Sequence, residues 1–139
     1  MELKGRLTVA LAGNPNSGKS TVFNNLTGAR QHVGNYPGVT VEKKEGRLVY
    51  RDYEITLVDL PGTYSLSANS EDEIVARDFV VNEKPDMVVH VVDASNLERN
   101  LYLYTQLREL DANVVLAMNM SDIVEKRGSR IDYRKISGL

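Results

Sequence analysis

The stretch GNPNSGKS, residues 13–20, stands directly behind the apolar run LTVALA at residues 7–12. It matches the pattern GxxxxGK[ST] in the setting that pattern requires, a strand before it and a helix after it. Gly13 and Gly18 permit torsions that turn successive backbone N–H groups inward, and a helix opening near Lys19 adds its positive end. Together they form an anion cradle. Lys19 can bridge the outer phosphates of a nucleotide as a point charge, and the Ser20 hydroxyl is placed to ligate Mg2+. Asn14, Pro15, Asn16, Ser17 and Thr21 complete the predicted phosphate-binding wall.

Elements can be read outward from this loop. Residues 6–12 read as a first strand and 19–27 as a helix. Residues 29–39, ARQHVGNYPGV, hold two glycines and a proline and read as a long loop. Residues 41–50 and 53–60 flank the polar pair Arg51-Asp52 and predict an antiparallel pair of strands. Ser70 and Glu73 resemble a capping box ahead of a helix near 71–82. Residues 86–93 and 113–119 are short, apolar and bounded by polar residues, hence buried strands. Between them Leu97, Leu101, Tyr104, Leu107 and Leu110 recur at helical spacing. The order β-α-β-β-α-β-α-β predicts a three-layer α/β domain with a mostly parallel sheet.

Composition narrows what such a domain can do. A chain of 139 residues with 42% hydrophobic content supports one domain with its own core. A net charge of −2 offers no basic field for a nucleic-acid backbone or an anionic membrane, so any phosphate site must be local. No cysteine is present, which rules out disulfides and thiolate metal sites. The longest apolar stretches, such as Met87 to Val92, fall far short of the roughly 18 residues that cross a bilayer. That predicts a soluble piece. MELKGRL at the start lacks the apolar core of a secretory signal.

Two further motifs turn a phosphate site into a nucleotide site. Asp59-Leu60-Pro61-Gly62 ends the third predicted strand beside the first strand's loop, where Asp59 can hold Mg2+ through water and the Gly62 N–H can reach a terminal phosphate. Alone, that tetrapeptide is an ordinary strand exit; beside the glycine-rich loop it is a sensor. Asn119-Met120-Ser121-Asp122 ends the last predicted strand. A carboxylate at Asp122 accepts from the N1–H and exocyclic amine of guanine but would meet the N1 acceptor of adenine and no donor at the neighbouring position. Asn119 can brace the loop and donate to the purine's acceptors. Two hydrogen bonds to a charged group, about 1.5 to 3 kcal/mol each, give a preference of two or more decades for GTP over ATP. Thr40, in GNYPGVTVEKKEG, is the candidate sensor of the terminal phosphate and a Mg2+ ligand. His32 and His90 are isolated and read as packed or solvated side chains.

GNPNSGKS, VGNYPGVTVEKKEG, DLPGTYSL, VVDASNLERNLYL and NMSD together resemble the cytosolic GTPase domain of the ferrous iron transport protein B (FeoB) family. The resemblance covers nearly the whole chain. The switch stretch and VVDASNLERNLYL are specific to the transporter, whereas the phosphate- and base-reading motifs are shared with small GTPases generally. The resemblance implies a Ras-like P-loop fold and a slow, Mg2+-dependent GTPase that cycles between GTP and GDP. It also implies attachment through later residues to a helical spacer and a transmembrane iron-transport domain, on the cytoplasmic face of the inner membrane. Asn16 matches the asparagine that related GTPases use to bind K+ in place of an arginine finger. Lys19, Thr40, Gly62 and Asn16 are the catalytic candidates.

Two positions depart from the small-GTPase pattern. Thr63 stands where Ras-type proteins place the glutamine that orients water, and Met120 stands where NKxD has lysine. The family's last strand, its SA-type guanine loop and its final helix have no match by Leu139, so a truncated G domain is expected. The strand at 114–118 would then be an open sheet edge able to pair with another chain. Two other readings share the phosphate loop: a GTPase of ribosome assembly or RNA modification, for which a basic face is wanting, and a nucleotide-binding interaction module with negligible turnover.

Overall fold

The computed structural model describes residues 3–119. Its chain order is β1 (Gly5–Gly13), α1 (Lys19–Thr27), β2 (Gln31–Asn35), β3 (Glu42–Tyr50), β4 (Tyr53–Asp59), α2 (Glu71–Asp78), β5 (Met87–Asp93), α3 (Leu97–Glu109) and β6 (Val114–Asn119). A π-helical turn, Phe79–Glu83, continues α2, and a 3-10 turn, Ala94–Asn96, leads into α3. Met120, Ser121 and Asp122 lie outside the described residues.

The strands form a six-stranded sheet in the order β2-β3-β4-β1-β5-β6. β1 pairs in parallel with β4 and β5, and β5 with β6, while β3 runs antiparallel to both β2 and β4. β1 is central, and its end from Val9 to Gly13 is buried without a break. That explains why it reads as a continuous apolar run rather than an alternating one. The expected antiparallel pair is β3–β4, turned at Arg51 and Asp52, both in the left-handed region at φ 48 and 68.

One predicted loop is instead a strand. Residues 31–35 pair with β3, Gln31 opposite Gly46 and Asn35 opposite Glu42, and form the sheet edge. QHVGN hides this because the strand is exposed along nearly its whole length and so has no apolar alternation to detect. β6 lies at the other edge among the described residues.

Two cores lie on opposite faces of the sheet. Ala10, Val58, Val88, Leu103 and Leu107 pack with Val75, Ala76, Phe79 and Val80 under α2 and α3. Val9, Leu11, Leu57 and Val91 pack under Phe23 of α1. Helices therefore cover both faces, the three-layer arrangement. In α3 the buried stripe is Asn100, Leu103, Tyr104 and Leu107, rotated from the expected one, and Tyr102 is exposed. The rotation follows from Asn100, whose side chain accepts from the Asp93 N–H (3.1 Å) and donates to the Asn96 carbonyl (2.7 Å). Among the described residues no helix is long and apolar enough to cross a membrane.

Candidate functional site

The parallel strands bring their carboxyl ends to one edge of the sheet. β1 connects to neighbours on both sides, so strand order reverses at β1 and leaves a crevice beyond its end, where open α/β sheets bind ligands. Gly13, Asp59, Asp93 and Asn119 close the four strands that meet there.

The loop from 13 to 20 is wound into the crevice. Asn16 (φ 66) and Gly18 (φ 91) occupy the left-handed region, and residues alternating in that way turn successive N–H groups toward one point. Gly18 is the N-cap of α1 and supplies no side-chain cap, so the first amides of α1 remain free for an anion. A Cβ on Gly13 would come within 2.8 Å of both the Ser17 Oγ and the Val91 carbonyl, which leaves room for glycine alone. A cleft of about 370 Å³ opens against Asn14, Pro15, Asn16, Gly18, Lys19, Ser20, Thr21 and Gly62. Seven of the expected phosphate-binding residues thus line one hollow together with Gly62.

Lys19 and Asp59 are paired at the base of this hollow, the ammonium donating to Asp59 Oδ1, with both side chains only 9% exposed. A lysine this buried needs a counter-charge, and here the aspartate supplies it. Asn119 donates from Nδ2 to the Ser17 carbonyl at 3.0 Å, tying the last strand to the loop as a brace. Gly62 backs onto Pro15, whose N and Cα lie 3.3 Å from where a Cβ would be. Thr63 is buried, and its N–H donates to the Gly13 carbonyl at 3.1 Å. The Ser17 hydroxyl and the Asn14 Oδ1 are buried without a partner, unusual for polar atoms and in keeping with a loop shaped for a ligand.

Thr40 is not brought to this cleft. It is exposed, at the end of the turn that joins β2 to β3. Three contacts that motif reading missed hold the segment after Gly62. Glu73 accepts from the Ser65 hydroxyl (2.8 Å) and the Ser67 N–H (3.0 Å), and Gln106 accepts from the Leu66 N–H (2.5 Å). The Arg99 guanidinium covers the Tyr64 ring at 4.2 Å, while its carbonyl accepts from the Asn14 amide at 3.4 Å. The Ser65 hydroxyl bond, foremost, holds the Glu73 carboxyl below its ordinary range. The visible signal was the run SLSANSEDE, in which only the cap was read.

The fold places a glycine-rich loop at the switch point of the sheet, and comparison with known proteins decides the family. A family profile described as "Ferrous iron transport protein B" matches residues 7–139. The chain belongs to the ferrous iron transport protein B family. It is 56% identical over 136 residues to the Fe(2+) transporter FeoB of Salmonella typhimurium, covering 95% of this chain and 18% of that protein. It therefore spans less than a fifth of the length of the curated relatives it matches. The G domain of the T. maritima FeoB iron transporter superimposes with a TM-score of 0.88 at 47% identity, covering 96% of this chain and 81% of that one. A mutant S. thermophilus NFeoB bound to GDP matches with a TM-score of 0.87 at 50% identity, covering 94% of this chain and 51% of that one. The Ras-like P-loop fold expected for the FeoB family is the fold found.

Proposed function

We propose that this chain binds GTP and GDP in the cleft beside β1 and hydrolyses GTP, slowly, as the nucleotide-responsive module of a ferrous-iron membrane transporter. The observation that carries the reading is the Lys19–Asp59 pair buried under an amide-lined loop. A polyphosphate entering the cradle offers Lys19 a second, stronger anion, and the lysine can pass from the carboxylate to the phosphates without losing a partner. The amides of Asn16 to Ser20 then hold the diphosphate, and the Gly62 N–H reaches the terminal phosphate.

A divalent cation fits the same residues. Among the described residues no cluster of three His, Cys, Asp or Glu could hold a metal alone, so a cation here needs phosphate oxygens as ligands. Ser20, Thr40 and, through water, Asp59 would hold Mg2+, which supplies charge neutralisation at the transferring phosphoryl group. Asn119 and Asp122 would select guanine. Asn16 would contribute its side-chain oxygen to K+, in the place that an arginine takes in other GTPases. Thr63 cannot orient water as glutamine does, and its N–H is already given to the Gly13 carbonyl, in keeping with slow turnover.

The FeoB relatives are named as Fe(2+) transporters, which supports placing the chain at the cytoplasmic face of a membrane with spacer and transmembrane partners in the longer protein. A GTPase acting on RNA finds no support, because the net charge of −2 gives RNA no basic face. Phosphate release from GTP in K+ against Na+ tests the reading: turnover stimulated by K+ and abolished in Asn16→Ala is expected. Binding without turnover in either salt would leave only a nucleotide-sensing module.

A further inference from the structure

Tyr36 is the one fully buried residue of the β2–β3 turn, with Val39 and Val41 half-buried against the same cluster. Tyr36 is 6% exposed, it packs edge-on against Phe79 (centroids 6.4 Å apart, planes at 80°), and it belongs to the cluster that contains Val58 and Leu60. Lys43 extends its ammonium over both rings, 5.6 Å from Tyr36 and 5.9 Å from Phe79. The backbone is as well secured. The Tyr36 N–H donates to the Val41 carbonyl (3.0 Å), and the Tyr36 carbonyl accepts from the Val39 N–H (3.3 Å). Pro37 and Gly38, the latter at φ 76, fill the central positions of that four-residue turn, as a type II turn demands.

The hydroxyl does not share in this. It is buried with no hydrogen-bond partner. Burial, then the charges of Asp59 and Glu45, push its acidity further from the physiological range, so it stays neutral as well as unpaired. An orphaned buried hydroxyl costs stability, and a chain keeps one where a different arrangement of the same residues matters. Four residues on, Thr40 is outside the cleft that its proposed role requires it to enter.

We propose that Tyr36 is a positioning residue, a plug that holds the β2–β3 turn closed and Thr40 away from the cleft, and that a bound nucleoside triphosphate must draw it out. The inference rests on the GTP reading for its trigger but not for the plug. With the ring seated and the turn closed on Val41, Thr40 cannot advance without breaking the Tyr36–Val41 bond and the β2–β3 pairing behind it. The plugged turn and the Thr40-inserted turn are therefore alternatives, and a triphosphate binds at the cost of the first. GDP, which gives Thr40 no terminal phosphate, makes no such demand. Phe79 opens the π-helical turn after α2, so withdrawal of the ring also frees one end of that element.

Amide hydrogen exchange over residues 31–36 tests the plug, using wild type, Tyr36→Phe and Tyr36→Ala, each free, with Mg2+ and GDP, and with Mg2+ and a non-hydrolysable GTP analogue. In the free chain Tyr36→Phe, which sheds only the orphaned hydroxyl, should exchange about fivefold more slowly than wild type, and Tyr36→Ala at least tenfold faster. The analogue should strip protection from wild type while GDP leaves it. Affinity for the analogue should fall about fivefold in Tyr36→Phe and rise in Tyr36→Ala, with GDP affinity within twofold throughout. A merely structural role would move both nucleotides together. Equal or faster exchange in Tyr36→Phe than in wild type, or GDP and analogue affinities shifting alike, overturns the proposal. Should Tyr36→Ala not fold, the phenylalanine variant decides alone. Should wild type bind no guanine nucleotide, exchange in the free chain still judges the plug, and only the GTP reading falls.

Discussion

Replacing His90 with leucine should make the domain markedly more resistant to acid. His90 lies in the middle of β5, opposite Ala12 of β1 and Leu116 of β6, fully buried, with its ring stacked on Tyr104 at 6.4 Å and neither ring nitrogen hydrogen-bonded. Burial pulls its pKa from the ordinary 6.5 down to about 4. The folded chain thus keeps a neutral imidazole at pH values where the unfolded chain takes up a proton. Stability linked to His90 is whole above pH 6.5 and drains away as pH falls from 6.5 towards 4. Each tenfold difference in proton affinity is worth about 1.4 kcal/mol, so on the order of 2 kcal/mol is lost between pH 7 and pH 4.5 through this residue alone. That is a large share of the stability of an ordinary domain. Urea unfolding followed by far-ultraviolet circular dichroism at a series of pH values measures it, because the carboxylates contribute equally to both proteins and cancel in the difference. His90→Leu should match or exceed wild type at pH 7, having shed two unpaired nitrogens, and gain on the order of 2 kcal/mol on it by pH 4.5. Parallel pH profiles for the two proteins would show that the buried imidazole does not govern acid sensitivity.

Other perturbations follow from the site. Lys19→Ala strands the Asp59 carboxylate, so the nucleotide-free chain should lose roughly 3 kcal/mol in denaturant titrations as well as its phosphate affinity. Lys19→Ala with unchanged free-chain stability would mean that the pair is not formed in solution. Gly62→Ala sets a methyl against the Pro15 backbone at 3.3 Å, tight enough that the loop must shift by a few tenths of an ångström. Affinity for a GTP analogue should fall about tenfold while GDP affinity holds, since only the terminal phosphate needs the Gly62 amide. The Glu73 carboxyl, held below its ordinary range by the Ser65 hydroxyl first of all, contributes stability that is present above the unfolded carboxylate range and lost as pH falls through its folded value. Glu73→Gln should accordingly speed amide exchange at Ser65 to Ser67 at neutral pH but make little difference in strong acid.

Much of this was legible in the residues because local rules and the global fold agree. The glycine spacing of 13–20 names both the strand before it and the helix after it, and α1 spans the residues expected. The N-cap half of the capping box also formed, with the Glu73 N–H donating to the Ser70 hydroxyl at 3.2 Å, while the Glu73 carboxylate accepts from Ser65 and Ser67. What escaped was whatever depends on a distant partner. β2 carries no apolar alternation, and only pairing with the β3 backbone, from Asn35 opposite Glu42 to Gln31 opposite Gly46, makes it a strand. Asn100 turns α3 through a polar contact that hydrophobic periodicity cannot register. Tyr36 reads as a loop aromatic until Phe79 is seen beneath it, and Thr40 reads as a cleft residue although the fold leaves it exposed and outside the cleft lining.

The most direct measurement is calorimetric titration of this chain with GDP, GTP and ATP in the presence of Mg2+. The account predicts saturable binding of both guanine nucleotides, at least a hundredfold tighter than ATP, and lost in Lys19→Ala. No heat from either guanine nucleotide, or equal affinity for ATP, would contradict it.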